Sequence, residues 1–574
     1  MNNTSNKTRY LYLFPVIIFS AINFLIVFPH NYSMPLSELP YITGSDDTIL
    51  FDCFSFGKST VLAVTAASAC ILFIYGLFKK HLKFKSSVFY IPILVYLLSV
   101  LLSYAFSPYK QFAWRGTFDR FEGTLTIISY ILMLIYTMNV IRSSEDLSLI
   151  LMCLAITVGI ASVLGLMQSL GADPLERIPA LMINNPDRQV YQTVYNPNYV
   201  SFYLTLVLIP SGYILYSIVR KCRRKLLATA AVVVFAIILY NFVRSGSLGG
   251  FIGFTVEIVV AVIIFRKNIG RHLPYFITAL VIAVFCLLCL KDTISDRLYE
   301  KLHADHWTYD KPWIDYIQTG DSSFVISLNG NEMHVAASSD SDVPYVTDSQ
   351  GTPIPLEDMG YNGIYSVDDD RFRDIITVTP AIYKGNHLII LSTEDHEWPF
   401  IFTWDGVRYI NQLGNPTAVD KVDHFGFKGH YDFASYRGYI WATTLPLIKD
   451  HLFTGSGADT FMLALPQDDY AVKYSANISE LTVFDKAHNM YLQMLITTGL
   501  ISLIAFLLLI IMYYRSCYRY IQKSDNPDDS MLIKAIVIGV TGFLITALTN
   551  DSSVSVMPVF YGLMGCSIGM MESA

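Results

Sequence analysis

Apolar runs long enough to cross a bilayer recur along the chain, broken by short polar loops, and they predict about twelve transmembrane helices. The runs lie near residues 10–29, 59–78, 87–106, 123–141, 148–169, 198–219, 226–243, 247–265, 273–290, 489–513, 531–549 and 554–571. The first follows Lys7 and Arg9 as a signal peptide would. It is long and lacks a small-x-small cleavage site, so it reads as a retained helix. One stretch, 320–425, changes period. SFVISL, IITVTP and HLIILS alternate apolar with polar residues, with NG, DG and GN turns between, which predicts a β-rich sandwich or barrel. Residues 436–451 form an amphipathic segment expected to lie along the membrane surface. The fold class is an all-α polytopic membrane protein whose large extracytoplasmic loop carries a β-rich insert. Residues 1–290 hold helices one to nine, 291–487 the loop, and 488–574 the last three helices.

Charge then orients this pattern. Only 15% of the 574 residues are charged, against about 25% in soluble proteins, which leaves the membrane reading standing. Lys79, Lys80, Lys83 and Lys85 crowd one short loop, Arg220 to Lys225 another, and Arg266, Lys267 and Arg271 a third. Arg515, Arg519 and Lys523 crowd a fourth. The positive-inside rule makes these loops cytoplasmic, with both termini. The segment 291–488 has 30 acidic against 14 basic residues and belongs outside. Of the eight cysteines only Cys53 falls in an outer loop, so no disulfide framework is expected. No spacing resembles a zinc site, and no nucleic-acid partner is implied.

Candidate chemistry gathers in Ser435–Gly499. Arg437 and Trp441 stand four apart, on one face if helical. Gly455 and Gly457 mark a turn, and His488, followed by Asn489, stands at the mouth of a long apolar helix. A neutral imidazole there can accept a proton. Elsewhere, Arg244 at the outer end of the seventh helix is either a phosphate ligand or a snorkelling interfacial arginine. Arg115 and Arg120 with Asp119 and Glu122 form an anion site or an ion-paired loop. Glu257 is a lone acid in the eighth helix, functional or paired. Asn196-Pro197-Asn198-Tyr199 is a turn that starts a helix.

RGYIWATTLPLIKDHLFTGSGADTF followed by HNMYLQMLITTGLISLIAFL resembles the signature region of the O-antigen ligase and O-antigen polymerase superfamily of bacterial membrane glycosyltransferases. DRFEGTLT and NPNYVSFYLTL match upstream, in the same order. His488, Asn489 and Gly499 fit the family's His-Asn-nine-Gly pattern, with Ser502 where Gly, Thr or Tyr is usual. Arg437 matches the arginine that opens the outer-loop helix. Arg244 and Leu248 fit an Arg-to-Leu spacing, although Leu248 occupies the arginine position of the local register.

The resemblance implies a metal-independent, cofactor-free transferase at the outer face of the cytoplasmic membrane. Its donor would be a polyprenyl-diphosphate-linked glycan and its acceptor a glycan or glycolipid. His488 would be the general base, and Arg437, Arg244 and Arg120 would hold the diphosphate. Trp441 and Tyr491 would pack on sugar or lipid, and Asn489 and Asn198 would support the site. Ligation and polymerisation share the donor and are not separated by these motifs. A transporter or flippase of lipid-linked glycans is the rival reading, although no related halves or broken midplane helices are seen. A degenerate sensor or interaction protein is another.

Overall fold

The computed structural model describes residues 6–35, 47–221, 224–266, 312–338, 343–360 and 363–573. Every helix expected within those residues is present, and the expected helix 273–290 lies outside them. The membrane part begins with α1 (Asn6–Ser20), α2 (Phe56–Phe78), α3 (Tyr90–Phe106), the short α4 (Lys110–Arg115), α5 (Thr124–Val140) and α6 (Ser144–Ser169). Next come α7 (Pro197–Lys221), α8 (Lys225–Arg244) and α9 (Leu248–Phe265). After the segment that carries the insert, with α10 (Phe433–His451), α11 (Phe461–Ala464) and α12 (Tyr470–Ser475), follow α13 (Met490–Lys523), α14 (Pro527–Thr546) and α15 (Met557–Met571). Seven of the described helices are long and apolar enough to cross a membrane, and four shorter apolar helices accompany them.

Local chemistry sets the ends. Ser143 caps α6, Ser247 caps α9, and Asn526 caps α14 with Pro527 in its first turn. Small residues let the helices close up. A Cβ on Gly539 of α14 would stand 2.3 Å from the Leu206 carbonyl of α7, and one on Gly253 of α9 would stand 2.2 Å from the Thr546 hydroxyl of α14.

Two boundaries differ from the hydropathy pattern. The first helix ends at Ser20, not near 29, and gives way to a 3-10 turn, Ile22–Leu25. Asn23 is buried there with its amide toward the Val554 carbonyl (3.5 Å), and Phe24 stacks on Tyr203 at 3.7 Å. These tertiary contacts take the chain out of the helix. It continues into an antiparallel strand pair, β1 (His30–Pro35) with β2 (Asp47–Asp52). The tenth expected helix runs on to Lys523 but is broken at Gly499, whose φ of 85° and ψ of 171° are non-helical.

The insert is a sandwich of two antiparallel sheets. β3 (Ile314–Thr319), β4 (Ser323–Leu328), β5 (Asn331–Ala336) and β6 (Tyr345–Asp348) form the smaller sheet. The larger, seven-stranded sheet is built in sequence order from Leu356 to Thr417. Inward residues of both sheets share one core, in which Phe324 stacks on Phe400 at 3.7 Å. Tyr470 and Tyr474 of α12 enter the same core, so the insert is packed onto the segment that leads to α13.

Among the described residues, the start of α1, the loop after α2, the turn between α5 and α6 and the end of α15 meet at one end of the bundle. Arg9 meets Asp146 at 2.6 Å, and Lys85 Nζ donates to the Ile141 and Gly569 carbonyls, both at 2.8 Å. At the other end the loops around residues 116–123, 190–197, 452–460, 486–489 and 547–556 converge.

Candidate functional site at the converging loops

Gly499 explains how that second end is assembled. Its positive φ suits glycine, and a Cβ there would lie 2.3 Å from the Phe453 carbonyl. The break leaves carbonyls of the preceding turn without intrahelical partners. The Gly455–Gly457 turn supplies them: Ser456 N–H donates to Ile496 (2.9 Å) and Gly457 N–H to Thr497 (2.9 Å). Beyond the break, Leu500 N–H donates to Leu452 (2.7 Å). The turn is thereby pinned to the first half of α13, whose mouth carries His488.

His488 itself has a φ of 50°, an uncommon conformation for a residue with a Cβ, and its side chain is 30% exposed. Asn489 caps α13, accepting from Tyr491 N–H (3.0 Å) and Leu492 N–H (3.1 Å). Ala487 is held on both sides. Its N–H donates to Gln493 Oε1 (2.8 Å), and its carbonyl accepts from Trp441 Nε1 (2.9 Å). Trp441 thus braces the residue before the imidazole. Tyr491 donates its hydroxyl to the Leu544 carbonyl (2.8 Å), tying α13 to α14.

Asp551, in the loop after α14, completes this arrangement. It is fully buried, and its Oδ2 stands 3.4 Å from His488 Nδ1 while Oδ1 accepts from Asn489 N–H (3.2 Å). Burial lowers the proton affinity of His488, Asp551 opposes that, and Lys486 and Arg437 lower it again. The outcome is an imidazole held neutral near pH 7, with one nitrogen facing a carboxylate.

Arg437 lies within electrostatic range of the same aspartate. Its Nη1 donates to the Ala434 carbonyl (2.7 Å) and its Nη2 to Thr549 (2.9 Å), two residues before Asp551. Its Nε is buried without a protein partner among the described residues. Burial lowers its proton affinity, partly offset by Asp551. Lys486 is paired with Asp485 (2.9 Å) and sits 5.8 Å from the Tyr199 ring. Burial opposes its charge, but Tyr199 and Asp485 outweigh that and hold the ammonium on.

Arg120 is placed differently from the other cations. It is 7% exposed and bound to Asp459 through Nε (2.5 Å), with Glu122 at 3.5 Å. Asp459 also accepts the N–H groups of Thr117 (2.9 Å) and Glu122 (3.1 Å), and Gly116 leaves room for it. Burial, partly countered by Arg120, pushes the Glu122 carboxyl up to about 7. The loop is therefore an ion-paired clasp between the DRFEG segment and the Gly455–Gly457 turn, with only Arg120 Nη1 left unpartnered.

Arg244 is exposed at the end of α8, without a side-chain hydrogen bond or ion pair among the described residues. The turn after it borders the site: a Cβ on Gly249 would stand 2.3 Å from Thr549 Oγ1, on the residue whose carbonyl takes Arg437. Asn198 is exposed in the first turn of α7, its backbone N–H capped by Asn196 Oδ1 (2.8 Å). Glu257 is fully buried against Gly542 and takes no part here. The middle of α10, from Gly438 to Thr444, is buried on several sides and packs with Phe461, Phe484 and Ile496.

Sequence reasoning missed Asp551 and Lys486. Lys486 stood inside the quoted DKAHN run, two residues before His488, and Asp551 in a short polar TNDSS loop between two apolar helices. An acid at the mouth of such a loop, beside a histidine at another helix mouth, was the available signal. The insert is also tied to the loop that precedes the site. Tyr409 donates to Glu480 Oε1 (2.5 Å) and Gln412 N–H to Glu480 Oε2 (3.2 Å), on the loop that leads to Lys486 and His488.

No match was found among curated proteins or among solved structures. Residues 399–552 match the family model described as O-antigen ligase, a span that runs from the strand Glu397–Thr403 to the residue after Asp551 and contains Arg437, Lys486 and His488. The chain thus carries a match to the O-antigen ligase domain over residues 399–552, within a multi-pass membrane protein.

Proposed function

We propose that the protein transfers a glycan from a polyprenyl-diphosphate-linked donor to an acceptor hydroxyl at the outer face of the cytoplasmic membrane. The observation that carries this reading is His488, neutral, backed by buried Asp551 and adjoined by Arg437 and Lys486. The acceptor hydroxyl gives its proton to His488 Nε2 as its oxygen bonds to the anomeric carbon. The bond from that carbon to the phosphate oxygen breaks, and its electron pair leaves with the lipid diphosphate. Asp551 stabilises the imidazolium formed and holds the tautomer that leaves Nε2 free to accept. Arg437 and Lys486 stabilise the charge growing on the diphosphate, with Arg244 arriving from the bordering turn. Arg120 serves by locking the Gly455–Gly457 turn, with Nη1 as its one remaining donor.

The insert orients the acceptor by fixing the loop that leads to His488 through Glu480. Purified protein supplied with a lipid-linked glycan tests the assignment. Transfer is expected in the wild type and lost in His488→Ala and Arg437→Ala. Transfer that survives His488→Ala removes the base.

A further inference from the structure

The end of the bundle opposite His488 holds a polar cavity of about 240 Å3, well above the roughly 10–15 Å3 that one water needs. It opens between the start of α1, the loop after α2 and the turn between α5 and α6, on the side that the basic loops assign to the cytoplasm. Its carboxylates are already engaged. Asp146 Oδ1 accepts from Arg9 Nε (2.6 Å) and Oδ2 from Arg142 N–H (3.0 Å). Glu145 lies 3.6 Å from Arg9 Nη2 and accepts from the Ser143 hydroxyl (3.2 Å).

The donors around the cavity are fixed but not used up. Arg142 Nη2 donates to the His81 carbonyl (2.7 Å), which holds that guanidinium at the rim. His81 Nδ1 is 3.0 Å from the Tyr12 hydroxyl, and when Tyr12 donates to it, Nε2 carries the hydrogen. Arg142 Nη1 and Nε, Arg9 Nη1 and His81 Nε2 have no protein partner among the described residues. Lys79 and Lys83 are exposed beside His81. Phe78 and Phe84, 82% and 58% exposed, present apolar surface along the same loop. Partnerless donors around a cavity, with lysines and aromatic rings along its rim, make a receptor for a phosphate next to acyl chains.

We propose that this cavity binds a phosphate oxyanion, supplied by the headgroup of an anionic phospholipid or by a soluble phosphate. The test uses the full chain in phosphatidylcholine nanodiscs, with phosphatidylglycerol added stepwise or with inorganic phosphate in the buffer, and reads the unfolding temperature. Phosphatidylglycerol is expected to stabilise the wild type. The Arg142→Gln/His81→Gln variant should need about fivefold more of it for the same shift. Arg142→Lys, which keeps the charge, should retain most of the response even if the double variant folds poorly. Arg515→Gln/Arg519→Gln, in another basic loop, should respond as the wild type does. Protection by inorganic phosphate that the double variant loses assigns a soluble ligand to the same cavity. A double variant that responds to both probes as the wild type does, or an equal loss in the Arg515/Arg519 control, overturns the site.

Discussion

Replacing Asp551 by asparagine puts an amide where its orientation is already decided. Asp551 Oδ1 accepts the Asn489 N–H (3.2 Å), and only the carbonyl oxygen of an asparagine can do the same. Its NH2 group must then take the place of Oδ2, 3.4 Å from His488 Nδ1. Facing a donor, Nδ1 has to be the unprotonated nitrogen, and the hydrogen moves to Nε2. That tautomer cannot take a proton from the acceptor hydroxyl. The substitution also removes the negative charge that favours the imidazolium, so the proton affinity of His488, already below its ordinary value through burial, falls further. Loss of a general base is worth about 100- to 10,000-fold in kcat, or about 2.7–5.4 kcal/mol of transition-state stabilisation. The donor KM should change by less than about threefold, because no donor ligand is removed. The assay is steady-state transfer from a lipid-linked glycan in nanodiscs across pH 5 to 8. The acid limb of the residual activity should move to lower pH. A folded Asp551→Asn protein with kcat within about threefold of wild type would refute the tautomer argument, as would an acid limb that moves up.

Arg120→Ala should act first on stability, because it leaves Asp459 and Glu122 buried without their cation. A cost of about 3–5 kcal/mol is expected in thermal unfolding, and an unchanged transition would mean the clasp is not structural. Gly499→Ala places a Cβ 2.3 Å from the Phe453 carbonyl at a φ of 85°. Strain of about 1–3 kcal/mol should lower the unfolding temperature and, by releasing the Gly455–Gly457 turn, the transfer rate; wild-type values for both would show that the break is not needed. Arg437→Lys keeps the charge but loses the forked donors to Ala434 and Thr549. The donor KM should rise about tenfold, and an unaltered KM would argue against diphosphate contact.

Hydrophobic period carried most of the membrane fold, because a bilayer demands long apolar helices wherever the chain crosses it. It failed at α1, where burial of Asn23 and stacking of Phe24 on Tyr203, both tertiary events, end the helix earlier than hydropathy implies. The strand alternation of the insert was equally readable, and so was His488 beside its cap Asn489. Arg120 illustrates the opposite case. Its spacing to Glu122 allowed an anion site or an ion pair, and Asp459, 339 residues away in sequence, decided between them by binding it at 2.5 Å. Asp551 is of the same kind: its partner His488 lies 63 positions earlier, and no local pattern links the two helix mouths. Local patterning by itself determined the elements and singled out His488 as a candidate base, since period and capping act over a few residues. Which charges meet at the converging loops was decided only by tertiary structure, because desolvation and pairing depend on distance in space, and those distances are set when α13 breaks at Gly499 and the loops close over it.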